Sequence, residues 1–133
     1  MRILETALYA EDLRAARQFY VDRLGLEEVS FDPDRDLFLR VGDAMLIIFR
    51  ASRTLIHDSG VPPHGTTGPG HMAFGVSRSE LAEWEARLDS LDVTVIETVE
   101  WRNGAKSIYF KDPSGNILEF ATTDLWFPAD PAT

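Results

Sequence analysis

The chain repeats itself, and the repeat constrains its fold more than any other feature. Ile3–Tyr9 reads as a short strand. It is followed by Glu11-Asp12, acidic residues suited to a helix start, and by Leu13, Ala16, Phe19, Tyr20 and Leu24 at helical spacing, with Gly25 as the stop. Three strand candidates come next, Leu26–Phe31, Asp36–Val41 and Ala44–Arg50, separated by turns at Asp32-Pro33-Asp34 and Gly42-Asp43. The second half runs in the same order. His71–Val76 reads as a strand, and Ser77 with Glu80 forms a capping box. Leu81, Trp84, Leu88 and Leu91 then give a helix its apolar stripe, and strands are expected at Val93–Val99, Lys106–Lys111 and Asn116–Thr122. The expected architecture is α+β: two βαβββ modules whose curved mixed sheets carry helices on one face and leave the other to line a cavity.

The resulting domain plan is a single domain with module one at 1–50, a linker loop at 51–69, module two at 70–122 and a C-terminal tail at 123–133. A chain of 133 residues is long enough for one real core and too short for two independent ones. The linker, rich in Gly, Pro, Ser and Thr, is long enough to be functional or mobile. Acidic residues outnumber Lys and Arg by 22 to 13, a net charge of -9, which argues against nucleic acid or anionic membrane as a partner. The absence of cysteine removes disulfides, thiolate nucleophiles and Cys-ligated zinc. With neither a signal-peptide pattern nor a membrane-length apolar run, a cytoplasmic location is the expectation.

Three polar residues interrupt otherwise apolar strand patterns. Glu119 sits in Asn116-Ile117-Leu118-Glu119-Phe120-Ala121, where a buried carboxylate is costly unless protonated, paired or metal-bound. Alternation puts Glu119 with Ile117 and Ala121, opposite Leu118 and Phe120, so the apolar pair belongs under the helix and Glu119 points into the cavity. His71 shares its face with the small residues Ala73 and Gly75, and Glu5 shares its own with Ala7 and Tyr9. Each of the two opens the first strand of its module.

Tyr109-Phe110-Lys111-Asp112-Pro113-Ser114-Gly115-Asn116-Ile117-Leu118-Glu119-Phe120 resembles the closing motif of the glyoxalase/bleomycin resistance/extradiol dioxygenase (vicinal oxygen chelate) superfamily. Leu4–Tyr9, Phe19-Tyr20 and Leu24-Gly25-Leu26 resemble that family's opening, and Gly70-His71-Met72-Ala73-Phe74 the start of its second module. The resemblance implies a divalent metal ion held by Glu5, His71 and Glu119, with Mn, Fe, Zn, Ni and Co all compatible. Met45–Phe49 offers no counterpart to the fourth ligand of glyoxalase-type relatives. Two carboxylates would neutralise a divalent ion, which disfavours a dioxygenase relative to a lyase, isomerase or transferase acting on a small oxygenated substrate. Glu5 or Glu119 could double as general base.

Substrate contacts are expected from Ser107 and Tyr109, which share a strand face, from Trp101 and Arg102 as aromatic wall and anion contact, and from His64 in the linker as a lid or acid–base residue. Lys106 and the helix-one arginines Arg14, Arg17 and Arg23 are expected at the surface, and Trp126-Phe127-Pro128 over a partner subunit or the chain's own core. No basic residue follows Glu119, which argues against fosfomycin transfer. The resemblance also implies a homodimer. The competing reading is a metal-free protein of the bleomycin-resistance type that sequesters a cationic drug.

Overall fold

The computed structural model describes residues 1–128; the last five residues of the expected tail lie outside it. Two compact units are present, 1–70 together with Asp112–Asn116, and His71–Lys111 together with the chain from Ile117 onward.

The first unit carries β1 (Glu5–Tyr9), β2 (Glu27–Asp32), β3 (Asp36–Val41) and β4 (Ala44–Phe49) in one sheet of order β1-β4-β3-β2. Only the β1–β4 pair is parallel. Helix α1 (Leu13–Arg17) starts at Asp12, whose side chain accepts from the Ala15 N–H at 3.0 Å. It widens into a π-helical turn, Gln18–Arg23, before Gly25 ends it at φ +79°. Both Phe19 and Tyr20 are buried there, and α1 packs on β3 and β4. Alternation turns Leu37, Leu39, Leu46 and Ile48 to the helix side, all essentially inaccessible. The opposite face carries Glu5, Ala7 and Tyr9 of β1 beside Met45, Ile47 and Phe49 of β4.

The second unit repeats the plan. β5 (His71–Val76), β6 (Glu97–Glu100), β7 (Lys106–Lys111) and β8 (Ile117–Thr122) form a sheet of order β5-β8-β7-β6, again with one parallel pair. The Ser77–Glu80 capping box forms as expected, with Glu80 Oε2 accepting the Ser77 N–H at 2.7 Å and Ser77 Oγ accepting the Glu80 N–H at 3.2 Å. The helix it opens, Arg78–Ser90, buries Leu81 and Leu88 and stacks Trp84 on Phe120 at 4.5 Å between ring centres. Among the described residues no helix is long and apolar enough to cross a membrane.

Three expectations need correction. The segment from Ala51 to Pro69 is not all loop: Ala51–Thr54 forms one helical turn, α2. Its start is held by Glu11, which accepts from the Ser52 N–H at 3.0 Å and the Ser52 hydroxyl at 2.6 Å, a contact across 41 residues that local composition does not reveal. The strand expected from Val93 begins only at Glu97. Asp92 at φ +56° and the Val93 N–H bonded to the Leu88 carbonyl turn the chain first. The last strand begins at Ile117 rather than Asn116, whose side chain serves the turn before it.

That turn is a polar lock. The Asp112 carboxylate, 5% exposed, accepts the Tyr20 hydroxyl at 2.6 Å, the Asn116 side-chain amide at 2.8 Å and the N–H groups of Ser114 and Asn116, each at 2.9 Å. Asn116 also donates to the Tyr9 carbonyl at 3.1 Å and accepts from the Gly70 N–H at 2.8 Å. Gly115, at φ +84°, supplies the left-handed conformation the turn requires. Tyr20→Phe should therefore lower stability by about 1.5–3 kcal/mol, the range for a hydrogen bond to a charged group, read from urea unfolding; an unchanged midpoint would show that the lock carries no stability.

The three tyrosines share a second property. Burial raises the pKa of Tyr9 and of Tyr20, and of Tyr109 together with the nearby Glu119 charge. A folded pKa above the unfolded value of about 10 stabilises the fold below that pH, and the contribution is lost as pH rises through the folded values. At pH ~10 the native protein should show less than half of its full tyrosinate absorbance with circular dichroism intact; half-titration of folded protein at that pH would contradict this assignment.

Candidate functional site

The site is built on the open face of the second sheet. In the β8 register Glu119 lies opposite Ala73 of β5 on one side and Tyr109 of β7 on the other. Leu118 and Phe120 point the other way, where Phe120 packs on Phe110, Phe74 and Trp84. Packing of these apolar neighbours thus forces Glu119 onto the open face, where it is nonetheless 5% exposed. His71 enters from the start of β5, and its Nε2 lies 3.2 Å from Glu119 Oε2.

The contact has a definite chemical meaning. His71 Nδ1 is 2.9 Å from the Ile117 carbonyl oxygen. A carbonyl only accepts, so Nδ1 carries the hydrogen and Nε2 is left to face the carboxylate. In a neutral imidazole, that arrangement sets a lone pair against carboxylate oxygen. A cation resolves the conflict, either a proton on Nε2 or a metal ion shared by the two groups. A histidine whose outer nitrogen is fixed by a backbone carbonyl is the usual support of a metal-ligating imidazole. Imidazole and carboxylate as donors fit a first-row divalent ion.

Three further residues back the pair. The Tyr109 ring stacks near His71 at 6.1 Å, and Tyr109 stands opposite Glu119 in the strand register, two residues along β7 from Ser107. Ser107 is fully buried, and its Oγ accepts the Trp101 indole N–H at 2.9 Å. Trp101, Ser107 and Tyr109 thereby stand together on the β7 side of Glu119.

A cavity of about 470 Å³ opens beside these residues. Its walls include His71, Glu119, Tyr109 and Trp101, with Leu125, Trp126 and Phe127 from the segment after β8. Of the two places expected for Trp126-Phe127, a partner subunit or the chain's own core, the core is not the one observed: both are largely exposed and flank the cavity. Their signal in the sequence was two large aromatics directly after the last strand, too few for any periodicity to place.

The other expected residues are divided between the two units. Arg102 is exposed in the turn after β6 and is absent from the cavity wall. Lys106 pairs with Glu85 at 2.9 Å. His64 belongs to the first unit, half-buried, with Nδ1 2.7 Å from the Tyr9 hydroxyl and its ring edge-on to Phe49 at 4.6 Å. Glu5, on β1, is exposed and paired in register with Met45. By the same register Ile47 occupies in the first sheet the place Glu119 holds in the second, and it brings no ligand there. Among the described residues no three His, Asp or Glu side chains gather into a ligand group, so His71 and Glu119 stand as a pair.

Known proteins share this arrangement of strands. The crystal structure of a lactoylglutathione lyase from Agrobacterium tumefaciens superimposes with a TM-score of 0.90 and 39% identity, covering 94% of this chain and 96% of that one. An integron cassette protein from the mobile metagenome of the Halifax Harbour sewage outfall gives a TM-score of 0.73 at 28% identity, over 91% of this chain and 97% of that one. The metallothiol transferase FosB of Staphylococcus saprophyticus is 42% identical over 57 residues, 41% of this chain and 37% of the transferase. FosB of Bacillus licheniformis is 35% identical over 57 residues, so the match spans little more than a third of either transferase. The family profile of the Glyoxalase/Bleomycin resistance protein/Dioxygenase superfamily matches residues 2–120, and this chain belongs to that superfamily.

Proposed function

We propose that the protein is a metal-dependent enzyme of lyase or transferase type, acting on a small oxygenated substrate. The observation that carries this reading is the opposed pair, His71 Nε2 facing the buried Glu119 carboxylate at 3.2 Å with Nδ1 fixed on a backbone carbonyl. The names of the relatives, a lyase and a metallothiol transferase, support the same reaction classes.

His71 and Glu119 would hold the ion, with Glu5 proposed as third donor on the strength of the family pattern. Mn, Fe, Zn, Ni or Co would each fit these donors. When bound, such an ion supplies positive charge against negative charge developing on substrate oxygens. The chain's own residues do the rest. The Ile117 carbonyl fixes the imidazole orientation, and Tyr109 stands beside Glu119 on the neighbouring strand. Burial and the Glu119 charge hold the Tyr109 hydroxyl above its usual pKa, so it keeps its proton and can donate to a substrate oxygen. Glu5 or Glu119 is proposed as the general base that takes a proton. A homodimer and a cytoplasmic location belong to the same proposal.

The first test is direct. Protein purified without chelator should retain a divalent ion, and His71→Ala or Glu119→Gln should weaken its binding by more than the ~10–100-fold that loss of a supporting residue costs. Glu5→Gln should weaken it as well. Metal content and titration calorimetry read both effects. Absence of any divalent-ion affinity, with tight binding of a cationic drug that survives replacement of all three residues, would instead establish the sequestering function.

A further inference from the structure

The cavity beside His71 and Glu119 has a sharply divided chemistry. His71 and Glu119 lie among the strand residues of its wall, and neither Lys nor Arg lines it. The floor is small: Ala73 and Gly75 follow His71 on its strand face, and Ala121 follows Glu119. Phe74, Trp101, Leu125, Trp126 and Phe127 make a large apolar wall, and Tyr109, Thr122 and Thr123 add uncharged hydroxyls beside the pair.

This wall is built rather than incidental. The Trp101 indole is fixed by its bond to buried Ser107. The turn that presents Leu125, Trp126 and Phe127 is tied down at Asp124, which ion-pairs with Arg78 and accepts the Thr122 hydroxyl. Asn103 adds a bond to the Asp124 carbonyl at 3.0 Å, and the Phe127 N–H bonds the Thr123 carbonyl at 2.9 Å. A side chain at Gly75 would meet the Thr123 methyl at 3.0 Å, so the absence of one lets the turn lie close to the sheet. Trp126 and Phe127 nevertheless remain 77% and 68% exposed, an apolar surface tethered in place and left uncovered.

We infer that the substrate is a neutral molecule with an aromatic or other apolar body and its oxygens confined to one end. The oxygens meet the His71–Glu119 end and the body lies against Trp101, Trp126 and Phe127. This rests on the metal-dependent reading for the polar end only. A cavity of about 470 Å³ lies within the range of small-molecule sites. A phosphonate, phosphate or polycarboxylate body would find no counter-charge along the aromatic wall.

The test uses 2,3-dihydroxynaphthalene, which carries two adjacent oxygens on a fused aromatic body, against phosphonoacetate, a small anionic chelator. Both are titrated by calorimetry into zinc-loaded and chelator-stripped protein. The naphthalenediol should bind the zinc-loaded protein roughly tenfold or more tightly than phosphonoacetate does. Trp126→Ala and Phe127→Ala, at exposed positions that leave the core intact, should each weaken it roughly tenfold with zinc affinity unchanged, and Trp126→Phe should restore most of the loss. Binding that depends on Trp126 but needs no zinc would uphold the apolar subsite while removing the metal from the account. Tighter binding of phosphonoacetate would overturn the inference. So would naphthalenediol binding unchanged in both alanine variants, including the case where they alter only the sedimentation mass.

Discussion

The register of β8 between β5 and β7 is the constraint on which the site depends. With Glu119 opposite Ala73 and Tyr109, the large residues Leu118 and Phe120 are on the helix side and the carboxylate is on the open side. A slip by one residue would reverse every side chain of the strand. Glu119 would then lie under Trp84 and Phe120's apolar partners would lose it, two costs paid together. The stack of Phe120 with Trp84, Phe110 and Phe74 therefore positions the site, since it fixes which way the carboxylate faces. The Asp112 turn supports the same register from the strand's start, where Tyr20 and Asn116 hold the carboxylate that closes it.

From that register the electrostatics follow. A buried carboxylate without a cation is expensive, and an imidazole whose other nitrogen is already donating leaves only a lone pair or a proton to meet it. On the other side of the carboxylate stand Tyr109, opposite it in register, and Ser107, which holds the Trp101 indole. Placement of a cation between His71 and Glu119 thus satisfies a conflict that the fold itself creates. The aromatic wall beside it gives the pair a directional pocket rather than an open sheet face.

Much of this was legible in the sequence for identifiable reasons. Strict alternation around Glu119 placed it on the open face, because one slip would bury a charge and expose two large apolar side chains. The Ser77–Glu80 capping box and the Asp112–Asn116 turn are local devices, and both form as their residues imply. What alternation could not supply was anything set by distant side chains. Helix α2 depends on Glu11 reaching Ser52, and the packing of His64 depends on Tyr9 and Phe49. Trp101 looked like a substrate wall, whereas its bond to Ser107 also places it in the support of Tyr109. Arg102, whose only signal was its charge, sits in an exposed turn outside the wall of the His71–Glu119 cavity. The role of Trp126 and Phe127 needed the tether at Asp124, which only the folded chain displays.

The central claim is that a metal ion, rather than a proton, settles the opposition between His71 Nε2 and Glu119. Crystals grown with manganese, measured at a wavelength where that ion scatters anomalously, test it at the atoms concerned. The account predicts an anomalous peak bonded to both His71 Nε2 and a Glu119 carboxylate oxygen, with Nδ1 still on the Ile117 carbonyl. Crystals saturated with manganese that show no such peak, and a direct imidazolium–carboxylate hydrogen bond in its place, would contradict it.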